Sequence, residues 1–135
     1  MILNRECDYS FRIIRALADG NKKTVVTICE EESIPSPYSY KILKKLEKHG
    51  FVKSSRGRGG GYILNCNLDS FNVFDVISVM NENLFFLECI KDDSPDCIHL
   101  KGGKICSVHN AFLYLQKKME DEMRSRTMRE ILEFV

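Results

Sequence analysis

Between Ser36 and Leu64 the chain runs SPYSYKILKKLEKHGFVKSSRGRGGGYIL, a basic helix, a glycine stop and a glycine-rich hairpin with no spacer between them. Few architectures accept that order. Ser36 followed by Pro37 predicts a helix start, with the serine as N-cap and the proline at the first helical position. Tyr38, Ile42, Leu43 and Leu46 then recur at helical spacing and make the inward face, and Gly50 ends the helix. The outward face carries Ser39, Tyr40, Lys41, Lys44, Lys45 and Lys48. Phe51 to Ser54 reads as a short strand and Tyr62 to Leu64 as its antiparallel partner, with Ser55 to Gly61 as the tip. Glycine there permits positive φ and close approach of the backbone to a ligand. A nucleotide-binding phosphate loop does not fit, because the run lacks a GK[ST] ending and does not lead from strand to helix.

The residues upstream complete the unit. Asn4 predicts a cap for a helix through about Ala18, in which Tyr9, Ile13, Ala16 and Leu17 share one face before Gly20 breaks it. Thr24 predicts a second, shorter helix to about Glu32, with Val25, Ile28 and Cys29 inward. Ser33 to Ser36 then turn the chain into the basic helix. Two short helices joined by a tight turn, the second basic outside and followed by a hairpin, read as a winged helix-turn-helix. Charge agrees with this. Seven lysines and arginines stand against one acid, Glu47, between Lys41 and Arg58, although the whole chain carries only +1. Such density, running on into the hairpin, marks a polyanion-binding edge rather than an ordinary solvated face.

Downstream, Asn72 predicts a helix from Val73 to about Met80. From Ser107 a long amphipathic helix runs to near Ser125, with Phe112, Leu115, Met119 and Met123 on one stripe. At about 1.5 Å per residue it spans roughly 28 Å. Thr127 and Glu130 form a capping box for a last short helix, Met128 to Phe134. A domain this small cannot cover so long a stripe, so pairing with a second copy is expected. The expected fold is mainly α with a small β-hairpin. It divides into a winged helix-turn-helix region over 1–84, a cysteine-rich segment over 85–107, and a dimerisation helix with its C-terminal helix over 108–135.

The middle segment holds Cys89, Cys97 and Cys106, with His109 three positions after the last, in the spacing C-x7-C-x8-C-x2-H. It is too hydrophilic to fold by burial and needs something to wrap around. Thiolate and imidazole donors suit zinc, copper(I) or iron–sulfur chemistry, whereas magnesium and calcium take oxygen donors. The paired C-x2-C knuckles of structural zinc sites are absent. Free thiols, or a disulfide with one thiol left over, therefore stand beside metal binding as readings of the spacing. Arg5, Glu6 and Asp8 interrupt Met1 to Ser10, and no window approaches about eighteen uninterrupted apolar residues. A cytoplasmic location without membrane contact is expected, and with it reduced thiols or metal rather than a disulfide framework. Cys7 and Cys66 have no partner at ligand spacing, Cys29 reads as a core thiol, and His49 and His99 read as solvent-facing.

In chain order, DYSFRIIRALA, the helix ending KILKKLEKHGFVKS, the wing SRGRGGGY, the helix FNVFDVISVM, the LEC motif with two further cysteines, and the terminal SRTMREIL carry a resemblance. They resemble the Rrf-type bacterial winged-helix transcription regulators over essentially the whole chain. The resemblance implies a homodimer paired through the long helix and bound to double-stranded DNA at a palindromic operator. It also implies an iron–sulfur cluster on three loop cysteines that controls DNA affinity, as in repressors answering to iron–sulfur status, redox state or nitric oxide. Cys89, Cys97 and Cys106 match the three cluster ligands. His109 matches the fourth ligand of two-iron members, and Asp8 matches the fourth ligand of nitric-oxide-sensing four-iron members, where it comes from the partner's first helix. Cys106 and His109, three apart at a helix start, lie roughly 5 to 6 Å apart, so a [2Fe–2S] cluster with His109 is favoured. A [4Fe–4S] cluster with Asp8 stays open. The gaps between the cysteines are longer than is usual in the family and include Gly102 and Gly103.

Helix-turn-helix proteins read bases with the N-terminal part of the second helix. Tyr38, Ser39, Tyr40 and Lys41 are thus expected nearest the major groove and Lys44, Lys45 and Lys48 at phosphates. Arg56, Arg58, Gly59 and Gly60 are expected at the adjacent minor groove. Two other classes stay open: a cluster-free regulator working through zinc or thiols, and a protein-binding adaptor of the same fold. No nucleophile, base and orienting group occur together, which argues against an enzyme.

Overall fold

The computed structural model describes residues 3–91 and 97–135; residues 92–96, part of the expected cysteine-rich segment, lie outside the described residues. Its helices are α1 (Arg5–Ala16), α2 (Val25–Glu32), α3 (Ser36–Lys48), α4 (Val73–Met80), α5 (Glu88–Lys91), α6 (Ser107–Ser125) and α7 (Met128–Leu132). An antiparallel hairpin of β1 (Val52–Ser55) and β2 (Gly61–Leu64) separates α3 from α4, and a 3-10 turn covers Lys101–Gly103. Among the described residues no helix is long and apolar enough to cross a membrane.

Four helices begin where the capping residues predict. Asn4 accepts from the Cys7 N–H at 2.9 Å, and Thr24 accepts from the Thr27 N–H at 3.2 Å. Asn72 with Asp75, and Thr127 with Glu130, exchange side-chain and backbone bonds reciprocally. Each cap satisfies donors that the helix leaves unpaired and contributes about 1 kcal/mol. α3 departs from the expectation. Pro35 takes the cap position, Ser36 is already helical, and no side chain caps the helix.

One core joins the reading unit to the rest. Ile13, Ile14 and Leu17 from α1 and its end, Ile28 from α2, Ile42, Leu43 and Leu46 from α3, and Val76 and Ile77 from α4 are all buried in it. Each such side chain contributes roughly 1.5–3 kcal/mol through burial. Phe51 and Phe71 close the core below the hairpin with ring centroids 4.9 Å apart. Met128 of α7 is fully buried in the same core. Its N–H donates to the Phe71 carbonyl at 3.0 Å, and that of Arg129 to the Leu68 carbonyl at 3.2 Å. The chain's last helix is thereby tied back to the stretch between the hairpin and α4.

The inner stripe of α3 is Ser39, Ile42, Leu43 and Leu46. The expected places of Tyr38 inward and Ser39 outward are exchanged. Ser39 lies three, four and seven residues before the three aliphatics, at the centre of their stripe. Tyr38 is carried to the edge, 42 % exposed, and meets Tyr9 edge-on at 5.6 Å. The hairpin pairs Val52 with Leu64 through Ser55 with Gly61, and Lys23 adds a third rung by exchanging backbone bonds of 2.9 and 2.8 Å with Tyr62. A Cβ on Gly61 would lie 2.6 Å from the Lys23 carbonyl oxygen, so this crossing requires glycine.

Candidate nucleic-acid interface and cysteine segment

α3 presents Tyr38, Tyr40, Lys44 and Lys48 to solvent. Lys44 and Lys48 make no ion pair among the described residues, whereas Lys41 and Lys45 bend back onto α1 and grip the two oxygens of Glu6, Lys45 at 2.6 Å. These two hydrogen bonds hold the Glu6 carboxyl below the ordinary glutamate value of 4.5. The residues expected at bases and phosphates thus include two that already have an anionic partner. Ser39 is corrected outright: it is 0 % exposed, its hydroxyl accepts from the Cys29 thiol at 3.2 Å, and it has no path to a base edge. Cys29 itself is half-buried rather than a full core thiol.

The wing is fixed to the reading helix by the one acid in the basic run. Glu47 Oε1 accepts from the Ser54 N–H at 2.9 Å and from its hydroxyl at 2.6 Å, and both bonds keep the Glu47 carboxyl below the ordinary value. The hairpin therefore leaves α3 at a set angle, with Arg56 and Arg58 exposed at its tip. Gly57 and Gly59 adopt φ of 89° and 70°, and a Cβ on Gly60 would lie 2.6 Å from the Ser55 carbonyl. Neither Glu6 nor Glu47 could be picked out in the sequence. Their partners lie 35 and 39 residues away for Glu6 and seven for Glu47, across an element boundary.

In the cysteine segment α5, which carries Cys89, packs against α6. Cys106 is the N-cap of α6, and its sulfur accepts from the His109 N–H at 3.5 Å. The His109 imidazole Nδ1 is buried without a hydrogen-bond partner. An unpaired buried nitrogen of that kind costs about 1–3 kcal/mol. Cys89, Cys97 and Cys106 are free, half-buried thiols. Of the expected ligand set, Cys106 and His109 are linked through the His109 backbone N–H. Among the described residues no three His, Cys, Asp or Glu side chains stand together as a metal site. Asp8 pairs with Arg12 at 3.1 Å on the surface of α1. Burial raises the thiols of Cys7 and Cys66 above the ordinary cysteine value, in keeping with structural roles. His49 and His99 are exposed, as read.

The long helix divides differently from its apolar pattern. Its one buried residue is Gln116, 3 % exposed. The Gln116 amide donates to the Leu84 carbonyl at 2.8 Å and accepts from the Phe86 N–H at 3.0 Å, pinning the stretch between α4 and α5 onto α6. Of the expected stripe, Met123 packs on the chain's own core and Met119 is half-buried. Phe112 and Leu115 remain 36 % and 49 % exposed, next to Val108 at 56 %. The Arg124 guanidinium lies 3.8 Å from the centre of the Phe74 ring, fixing the C-terminal end of α6 to α4.

The Rrf2 family profile, described as iron-dependent transcriptional regulator, matches residues 3–133. The HTH-type transcriptional regulator IscR of Vibrio campbellii is 30 % identical over 112 residues, covering 83 % of this chain and 64 % of that one. The chain thus spans just under two thirds of that relative. Among solved structures, CymR, the global cysteine regulator of B. subtilis, superposes with a TM-score of 0.78 at 19 % identity, over 98 % of this chain and 97 % of its own. IscR of T. potens superposes with a TM-score of 0.75 at 23 % identity, over 97 % and 85 %. These likenesses carry the winged-helix fold, and the profile carries the family. The chain belongs to the Rrf2 family of transcriptional regulators.

Proposed function

We propose that the chain is a homodimeric, cytoplasmic DNA-binding regulator whose operator affinity is governed by an iron–sulfur cluster. The observation that carries this reading is the buried, unpartnered Nδ1 of His109, a residue whose backbone N–H donates to the Cys106 sulfur. A buried ring nitrogen without a hydrogen-bond partner fits a metal ligand, and thiolate with imidazole is a donor set that iron–sulfur centres use. Cys89, Cys97, Cys106 and His109 would hold a [2Fe–2S] cluster, with Asp8 of a second copy the other candidate for the fourth position of a [4Fe–4S] form. The bound cluster supplies chemistry sensitive to iron supply, oxidants and nitric oxide.

The residues of the chain itself give the route to DNA. Gln116 joins the cysteine segment to α6, α6 packs on α4, and α4 packs on α3. An arrangement of the segment that favours one setting of α3 and the wing changes operator affinity by the difference in binding to the two settings. α3 enters the major groove with Tyr38, Tyr40 and Lys41 leading, Lys44, Lys45 and Lys48 lie toward phosphates, and Arg56, Arg58, Gly59 and Gly60 reach the minor groove. Val108, Phe112 and Leu115 meet their counterparts in a second copy, giving two reading heads for a palindromic operator.

Anaerobic purification tests the reading. Brown protein with equal iron and sulfide, about two of each per protomer, and DNA affinity that changes on chelation are expected. A second reading is favoured by Cys106 itself, a free, half-buried thiol at the N-cap of α6: a cluster-free regulator that senses through thiols. Colourless protein, with or without zinc, whose DNA affinity follows oxidant and reductant would replace the first reading by the second.

A further inference from the structure

Glu6 sits in the first turn of α1, yet both of its carboxylate oxygens face α3. Its side chain is only 16 % exposed, while those of Lys41 and Lys45 are 61 % and 35 % exposed. The two lysines are four apart on α3, so their ammonium groups converge on one point. A nearly enclosed anion gripped by one exposed and one half-buried cation reproduces the arrangement with which lysines hold a backbone phosphate. Lys44 and Lys48, on the same helix, have no such partner among the described residues.

We propose that Glu6 is a specificity-determining residue, an internal stand-in for a DNA phosphate that occupies Lys41 and Lys45 in the free protein. Binding to arbitrary DNA consists of phosphate neutralisation and counterion release. With Glu6 in place, that binding proceeds without two of the cations on the reading helix. Only an operator, on which Tyr38, Tyr40 and the rest of α3 seat fully in the groove, draws the two lysines off the carboxylate. Glu6 therefore lowers affinity for arbitrary DNA more than for the operator and widens the ratio between them. A purely structural Glu6, holding α1 to α3, would have the opposite consequence, since its loss would loosen α3 and weaken both.

The inference rests on DNA binding by this family. Its test uses the full chain, a short random-sequence duplex, and an operator duplex selected from a random pool by the wild-type protein, with affinity measured over a range of salt. Glu6→Gln is expected to bind the random duplex several-fold more tightly, with a salt slope steeper by about 0.9 for each lysine released. The operator should gain less, so the ratio falls. In the Glu6→Gln background Lys45→Gln should remove about 0.9 from the slope, whereas in wild type it should leave the random-duplex slope unchanged. An unchanged random-duplex slope in Glu6→Gln, or weaker binding to both duplexes, overturns the proposal. Should Glu6→Gln not fold, Lys45→Gln alone decides, because a slope reduced by about 0.9 in the wild-type background overturns it too. Wild-type protein that binds neither duplex at any salt would overturn the DNA-binding function itself, and the proposal with it.

Discussion

The reading helix with its wing and the cysteine segment with the start of α6 are built on opposite terms. In the first, apolar residues are inside, the wing is bonded to α3 through Glu47, and one chain completes the geometry. In the second, Ile98 and Ile105 are 72 % and 86 % exposed on either side of the 3-10 turn, Val108 and Leu115 are exposed, and a buried imidazole nitrogen has no partner. The contrast teaches that shape set by a chain's own core and shape completed from outside leave different residues visible. A finished surface shows cations and aromatics, whereas an unfinished one shows aliphatics and unsatisfied donors or acceptors.

The sharpest way to break the contrast is to deny α6 the second copy proposed for it. Replacing Leu115 and Met119 by Asp should give monomers by sedimentation and lower operator affinity by two orders of magnitude or so, because two linked reading heads gain roughly 10²–10⁴ over one. Wild-type protein that stays monomeric at micromolar concentration would remove the need for a partner there. Next in size is the fourth ligand. His109→Ala should lose iron and sulfide and alter the visible spectrum, and Asp8→Ala should not. The reverse, with about four irons per protomer, would assign the position to α1 and the larger cluster.

Smaller effects test the finished region. Arg56→Ala or Arg58→Ala should weaken DNA binding and reduce the salt slope by about 0.9 each if one phosphate contact is lost. An A-tract operator should suffer most if the arginine lies in a narrow minor groove. Both slopes unchanged would take the wing off the DNA. The smallest effect concerns Glu47, whose carboxyl is held below 4.5 by the Ser54 bonds. A depressed carboxyl stabilises the fold above its unfolded value, and that contribution fades as pH falls through the folded value. Glu47→Gln should thus melt below wild type at neutral pH and match it once the pH has fallen through the folded carboxyl's value; an equal gap at both would assign the loss to something other than charge.

Much of this was legible because the signals are local. Asn72 with Asp75 and Thr127 with Glu130 lie three residues apart and mark helix starts wherever they occur. The RGRGGG tip announces a hairpin, and three cysteines in one hydrophilic stretch mark out a candidate ligand-bearing segment. The reading slipped where two local signals competed. Both Tyr38 and Ser39 fall near the Ile42, Leu43 and Leu46 stripe; pattern alone favours the larger apolar side chain, whereas the packing of α2 on α3 at Cys29 takes the smaller one.

Sequence by itself determined the order of elements, the reading helix, the wing and the cysteine-bearing segment, because caps, periodicities and turn residues act within one or two helical turns. Only the tertiary structure decided what Glu6, Glu47 and Gln116 do. Each is a polar side chain whose meaning lies in a partner on another element, and no spacing rule connects them. Gln116 shows the reason plainly. A buried amide at a helix position is a fault by pattern alone, and it becomes a fastening only when the Leu84 carbonyl and the Phe86 N–H arrive to satisfy it.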